Sequence, residues 1–153
     1  MTTLNRVAAR VITSLLPGLD KFTYGVHALT DVTGFGLIGH ARELAAASGV
    51  SLLLHAGAVA ALPGALDCIA AGNIPGGLKA NRDFAECVVS YEGEISDAQK
   101  TLLFDPQTAG GLLASVAQNH AGELLHALRE AGIAAVEIGE VSKQGNSLIT
   151  VTQ

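Results

Sequence analysis

The sequence predicts an α+β protein in which a mixed β-sheet is covered by helices. Three observations carry this prediction: apolar residues recur at helical spacing in several segments, short apolar runs of strand length separate those segments, and some of these runs follow one another without a helix between them. At 153 residues the chain has the size of one domain, so we predict a single domain over residues 1–153.

The first third of the chain predicts two helices, a loop and a strand. An amphipathic helix is predicted over residues 4–16, because its apolar side chains fall on one stripe and Pro17-Gly18 ends it. Residues 19–27 are predicted as an exposed loop. The second helix ends at Gly49, a typical C-terminal cap, and residues 50–54 form a buried strand.

Further helices and strands follow in alternation. Ser96 and Gln99 have the spacing of a capping box and predict a helix that ends near Phe104. The stretch 72–81, rich in Gly, Pro and Asn, is predicted as a loop. The other predicted elements are short helices within 57–71, a helix capped by Asn119 and ended at Gly132, and strands at 87–91, 112–116, 134–138 and 147–151.

Charge and composition exclude several classes of function. The net charge is −5 and no stretch is rich in Lys or Arg, so we predict no nucleic-acid binding. Residues 44–66 contain no charged side chain, but glycines, a proline and a histidine break them into short pieces, which predicts no membrane span. Cys68 and Cys87 lack a CxxC spacing, and no secretory signal precedes them. They are predicted to be buried thiols of a cytoplasmic protein.

Residues 30–40, with the sequence TDVTGFGLIGH, form the most informative segment. The carboxylate of Asp31 ends an extended stretch, two glycines allow a tight turn, and a helix begins at once. The N–H groups and positive dipole end of a helix N-terminus suit a phosphate, and a carboxylate beside a phosphate suits Mg²⁺. The alternative is that Asp31 or Thr33 only caps the helix. The spacing matches neither GxxxxGK[ST] nor GxGxxG.

Several motifs together resemble the selenophosphate synthetases (selenide, water dikinases), and they occur in the order of that family. The segment TDVTGFGLIGH is similar to the family signature. The other similar segments are MTTLNRVA at 1–8 with Asn5 at the family asparagine, IPGGLKAN at 74–81, LFDPQTAGGLL at 103–113 with Ala109 in place of the usual Ser, and IGEV at 138–141. Because the matches span nearly the whole chain, it is identified as a C-terminal domain of this family, within the aminoimidazole ribonucleotide synthetase-like superfamily.

The resemblance implies a fold and an activity. The fold is a three-layer α/β/α arrangement that is partly ferredoxin-like. The activity is the transfer of the γ-phosphoryl group of ATP to selenide, which yields selenophosphate, AMP and phosphate. The catalytic Cys or selenocysteine, the catalytic Lys and the ATP-binding face belong to an N-terminal domain that this chain lacks. We therefore expect no catalytic residue here, no activity of the chain alone, and a homodimer for the full-length protein.

Within this chain, the resemblance implies a role for four residues of the 30–40 segment. Asp31 is expected to complete a magnesium site that the N-terminal domain otherwise forms, with Mg²⁺ and ATP as the cofactors of the whole enzyme. Thr30, Thr33 and Gly34 are expected as its phosphate-side neighbours. Charged residues are 15% of the chain, against roughly 25% in an ordinary domain, which predicts apolar surface that faces the N-terminal domain.

Two local assignments and one functional alternative stay open at this point. Residues 105–111 either line a cleft between the domains or only stop a helix, and Asn81 is either a polar contact in that cleft or a plain turn residue. The histidines, including His40, His55 and His126, have no metal-ligand spacing, so no catalytic role is predicted for them. The alternative to an enzyme domain is a free-standing, non-catalytic module that binds a phosphorylated ligand or a partner.

Overall fold

The computed structural model describes residues 4–16, 18 and 22–153, and the chain divides into two compact units. Unit 1 consists of Met1–Asp31 and Gly110–Glu137, and unit 2 consists of Val32–Ala109 and Ile138–Gln153. The predicted stop at Pro17 and residues 19–21 of the first predicted loop lie outside the described residues. Within the described residues, no helix is long and apolar enough to cross a membrane.

Unit 1 packs two helices against a two-stranded antiparallel sheet. Its elements are helix α1 (Arg6–Ile12), strand β1 (Val26–Asp31), strand β4 (Leu112–Val116) and helix α6 (Gln118–Glu130). Strands β1 and β4 pair so that Asp31 lies opposite Leu112. The core of this unit contains the helix residues Ala8, Ile12, Leu124 and Leu128.

Unit 2 contains a four-stranded mixed sheet and four helices. Its elements are α2 (Gly36–Ser48), β2 (Val50–His55), α3 (Ala65–Ala70), α4 (Gly76–Ala85), β3 (Val89–Tyr91), α5 (Asp97–Leu102), β5 (Gly139–Lys143) and β6 (Ile149–Thr152). The strand order is β3–β6–β2–β5. Strand β2 pairs antiparallel with β5 and parallel with β6, and β6 pairs parallel with β3.

Helix α2 is the element that positions the segment of interest. Its buried stripe includes Ile38, Ala41 and Ala45, which are completely inaccessible to solvent and lie at helical spacing. The helix ends at Gly49, whose φ of 62° is left-handed, as the sequence predicts. On α5, the capping box of Ser96 and Gln99 is also confirmed. The predicted α+β class with a mixed sheet is therefore confirmed.

Four sequence predictions about local structure are wrong. Residues 76–81 are helical rather than a loop. Pro75 is extended (φ −67°, ψ 148°) and precedes the helix. Gly76 and Gly77 occupy the first turn of α4, where N–H groups need no intrahelical partner. Residues 134–138 form no strand; the strand begins at Gly139. The N-cap of α6 is Ala117 rather than Asn119.

The fourth wrong prediction concerns the thiols. Cys68 and Cys87 are both exposed rather than buried. Helix α3, which carries Cys68, has no buried residue, so its apolar composition does not reflect a core position. Cys87 lies in the short 3-10 turn after α4. The spacing of cysteines along a sequence does not indicate which face of a short helix is buried in the core.

Candidate functional site

Asp31 is the last residue of β1 and is exposed. Its backbone pairs with Leu112, and the Thr30 hydroxyl donates to the Asp31 carbonyl over 3.3 Å. Among the described residues, the Asp31 carboxylate forms no hydrogen bond or ion pair. Thr30 and Asp31 therefore belong to a strand, in agreement with the extended stretch that the sequence predicts up to Asp31. The Asp31 carboxylate does not cap α2, whose N-cap residue is Phe35, without a side-chain cap bond.

The turn that follows Asp31 is fixed by Gly36, the first residue of α2. Its φ is +70°, and a Cβ there would lie 2.7 Å from the carbonyl carbon and 2.8 Å from the carbonyl oxygen of Phe104. Only glycine fits such a left-handed position against a neighbouring backbone. Gly34 differs: its φ is not left-handed, and no atom lies within 4 Å of the place where a Cβ would stand.

The N-terminus of α2 is partly occupied by the protein itself. The N–H of Gly36 donates to the Thr33 carbonyl over 3.1 Å, and the N–H of Ile38 donates to the Leu103 carbonyl over 3.1 Å. The sequence predicts that the first N–H groups of this helix are available to a phosphate. Two of the first three N–H groups of α2 are therefore already hydrogen-bonded to backbone carbonyls. Fewer N–H groups at this helix end are left to bind an anion.

Asn81 joins two of the motif segments. From α4, its side-chain amide nitrogen Nδ2 donates to the Gly34 carbonyl over 2.9 Å and to the Phe104 carbonyl over 3.0 Å. The interpretation of Asn81 as a plain turn residue is wrong, because it lies in a helix and bonds distant backbone. Three motif segments therefore meet within unit 2, namely residues 33–36, 74–81 and 103–107.

The 103–107 segment is packed closely against this turn. The N–H of Gln107 donates to the Thr33 carbonyl over 3.0 Å, and Pro106 lies 3.4 Å from the Cβ position of Gly77. Burial raises the pKa of the Asp105 carboxyl from its ordinary value of 3.8. In unit 1, the Asn5 amide donates to the Gly110 carbonyl over 3.0 Å, so the family asparagine contacts the end of the same motif.

The contact between His40 and Thr33 is a feature that the sequence analysis does not predict. The residue is only 8% exposed, and its Nε2 lies 3.1 Å from the hydroxyl oxygen of Thr33. The predicted absence of a catalytic role for this histidine is not tested by this contact. A polar residue at the start of a buried helical stripe is the signal that could have identified it, since buried polar groups need partners.

The residues of the 30–36 segment fit one part of a magnesium site. Mg²⁺ takes one or two carboxylates, with phosphate oxygens and water completing its octahedron. Asp31 offers one exposed carboxylate, which has no partner among the residues that the structure describes. In the described part of the chain, no group of three or more His, Cys, Asp or Glu side chains could hold a metal ion. A site at Asp31 would thus require ligands from another domain or from the substrate.

Comparison with known proteins gives one family and several relatives. The family model of the AIR synthase related protein, C-terminal domain, matches residues 9–151. A selenide, water dikinase from Pelobacter propionicus is 43% identical over 99% of this chain and 41% of its own length. One from Photorhabdus laumondii is 44% identical over 84% of this chain and 37% of its own length. This chain therefore spans less than half the length of these curated relatives.

Solved structures agree on the fold. A crystal structure of the hydrogenase maturation protein HypE in complex with ATP matches 98% of this chain and 37% of its own chain, with a TM-score of 0.53 and 20% identity. A second HypE structure matches with a TM-score of 0.54, also at 20% identity, over 98% of this chain and 39% of its own. At this identity the likeness shows a shared fold alone.

Proposed function

Because this chain belongs to the family of C-terminal domains of AIR synthase related proteins, as its motifs predict, we propose that it is the C-terminal domain of a selenophosphate synthetase. In this proposal residues 1–153 form one domain. A separate N-terminal domain supplies the ATP-binding face, the catalytic Cys or selenocysteine and the catalytic Lys. The whole enzyme, a homodimer, uses Mg²⁺ and ATP to convert selenide into selenophosphate, releasing AMP and phosphate.

The convergence of three motif segments at Asn81 is the observation that supports this proposal most strongly. The two bonds from its amide, to Gly34 and Phe104, fix the backbone of the turn that follows Asp31 in the chain. Phosphoryl transfer depends mainly on positioning and on electrostatic stabilisation. A rigid turn with an adjoining carboxylate suits that requirement better than a flexible loop does.

Asp31 is proposed as the residue that this domain contributes to the magnesium site. Its carboxylate is exposed at the end of a strand and makes no hydrogen bond or ion pair with the described residues, so binding a cation breaks no bond in that part of the chain. When bound, magnesium supplies neutralisation of the negative charge on the transferring phosphoryl group. Asp31 holds its carboxylate at the end of β1. Closure of the proposed N-terminal domain onto this domain would bring that carboxylate to the magnesium ion.

Thr30, Thr33 and Gly34 are proposed as the neighbours of Asp31 on the phosphate side. Gly34 provides the support: its φ is ordinary and the space around its Cβ position is open, so nothing in the described fold requires glycine there. Close approach of a ligand to the backbone would require it. Thr30 and Thr33 adjoin Asp31 and Gly34 in the chain, and each hydroxyl has one donor and two acceptor sites.

The experiment compares Gly34→Ala with Gly122→Ala in the full-length protein that contains this chain. Both positions are exposed, and neither Cβ would have an atom within 4 Å. Selenophosphate and AMP are measured from selenide, ATP and Mg²⁺. We expect turnover by the wild type, a loss of about tenfold for Gly34→Ala, and little change for Gly122→Ala. No selenophosphate from the wild type would contradict the proposed activity, and equal rates in both variants would contradict the role proposed for Gly34.

A further inference from the structure

The buried imidazole of His40 is a feature of unit 2 that the proposed function does not use. It lies on the second turn of α2 and is 8% exposed. A buried polar ring is costly unless it is hydrogen-bonded. Its Nε2 lies at hydrogen-bond distance from the Thr33 hydroxyl, 3.1 Å away. Its Nδ1 lies 3.7 Å from a carboxylate oxygen of Glu43, too far for a hydrogen bond. Thr33 is thus the close partner of this ring.

Thr33 is held at its backbone and at its side chain. Its carbonyl accepts from the N–H of Gly36 over 3.1 Å and from the N–H of Gln107 over 3.0 Å. Its hydroxyl oxygen lies 3.1 Å from Nε2 of His40, a contact that favours one rotamer of the side chain. A hydroxyl has one donor and two acceptor sites, so pairing with one ring nitrogen leaves capacity for a further partner. The Thr33 side chain is half-buried, which keeps that capacity open to a ligand.

We propose that His40 is a positioning residue, which fixes the Thr33 hydroxyl for contact with the phosphate-side ligand. This inference rests on the proposed function. The competing explanation is that His40 only fills space beside Phe35, whose ring centroid lies 5.6 Å away. The two explanations differ in what they demand: the first needs a polar atom at the position of Nε2, whereas the second needs only the volume of the ring.

His40→Gln and His40→Asn form a matched pair that separates the two explanations. Both lose the ring, but a Gln amide reaches the position of Nε2 and an Asn amide reaches only that of Nδ1. In the full-length enzyme, we expect His40→Gln to keep kcat/KM for ATP within about threefold of the wild type, and His40→Asn to lower it about tenfold. Equal losses in the two variants would overturn the inference.

A double-mutant cycle tests whether His40 acts through Thr33. If it does, Thr33→Val removes the group on which His40 acts. We then expect Thr33→Val with His40→Asn to be no slower than Thr33→Val alone, within about twofold. Losses that multiply would show that the two side chains act independently, which contradicts a positioning role.

Imidazole ¹⁵N chemical shifts in the 153-residue chain provide a readout that does not depend on activity. Thr33→Val should shift the Nε2 signal of His40 and leave His55 unchanged. The matched control is Thr152→Val, because the Thr152 hydroxyl lies 2.9 Å from Nδ1 of His55. It should shift the His55 signal and leave His40 unchanged. An unaltered His40 signal in Thr33→Val would overturn the pairing.

Failure of this inference can be told apart from failure of the proposed function. If the wild type makes no selenophosphate, the proposed activity is wrong. If it does, but Gly34→Ala and Thr33→Val both leave turnover unchanged, the proposed phosphate-side role is wrong and this inference is wrong with it. If those two variants lower turnover while His40→Asn does not, this inference alone is wrong.

Discussion

Replacing Gly36 by alanine should destabilise the chain by an amount that the structure allows us to estimate. The new Cβ would lie 2.7 Å from the Phe104 carbonyl carbon and 3.0 Å from the Asp105 carbonyl oxygen. That backbone cannot move aside easily, because Leu103 and Phe104 are 1% and 0% exposed. The left-handed φ of +70° adds about 1–2 kcal/mol of strain, and a forced shift of packed core adds about 1–3 kcal/mol.

Together these terms give a loss of about 2–5 kcal/mol in the free energy of unfolding. For a chain of this size, that corresponds to a fall in Tm of roughly 5–15 °C. Thermal and urea unfolding followed by circular dichroism measure both quantities. A loss confined to local unfolding near the turn would also appear as faster amide exchange at Ile38, whose N–H bonds the Leu103 carbonyl.

Gly34→Ala is the matched control, since it makes the same chemical change two residues earlier. Both substitutions stiffen the unfolded chain equally. At Gly34, however, φ is not left-handed and the Cβ position is open, so we expect a change within about 0.5 kcal/mol. Equal melting temperatures for the two variants would refute the argument that close approach to Phe104 dictates the glycine.

Two further predictions concern the same region, and a third concerns the activity of the chain alone. Asn81→Ala should cost about 1–3 kcal/mol in urea unfolding, because the Phe104 carbonyl loses its donor, whereas the exposed Asn119→Ala should cost little; equal midpoints would contradict this. Burial raises the pKa of Asp105, because it disfavours the charged carboxylate. The stability associated with the protonated carboxyl is therefore fully present below the ordinary pKa of 3.8 and is lost as pH rises through the raised pKa. Asp105→Asn should therefore gain more stability over the wild type at pH 7 than at pH 3, and a gain independent of pH would contradict it. The chain alone should form no AMP from ATP above background, and AMP formation that Asp31→Ala abolishes would contradict that.

Short sequence motifs predict the structural features that depend only on residues adjacent in the sequence. The capping box of Ser96 and Gln99 and the glycine cap at Gly49 need only a few residues of context, and both are confirmed. The helix Gly76–Ala85 was missed because Gly and Pro predict a loop when considered alone. Tertiary contact decides there: Gly77 allows Pro106 to approach, and Asn81 bonds the turn from that helix.

The last strands show the same limit. Residues 134–138 have strand-like composition, yet the strand is Gly139–Lys143, most of which is exposed at a sheet edge. Gly139 lies so close to the Leu53 backbone that a Cβ would collide with it, a constraint that appears only when both strands are in place. The pairing of His40 with Thr33 was equally out of reach, because it depends on how the turn folds back onto α2.

Asp31→Asn in the full-length enzyme tests the central claim most directly. Asn keeps the shape of the side chain and its hydrogen-bonding capacity but loses the charge that Mg²⁺ requires. Folding should be unchanged, since the side chain is exposed and makes no bond among the described residues. We expect turnover to fall at least about tenfold, or about 1.4 kcal/mol of transition-state stabilisation, and the magnesium requirement to rise. The control Asp67→Asn, on the exposed helix α3, should leave both unchanged. Unchanged turnover and magnesium dependence in Asp31→Asn would contradict the claim that this domain supplies a magnesium ligand.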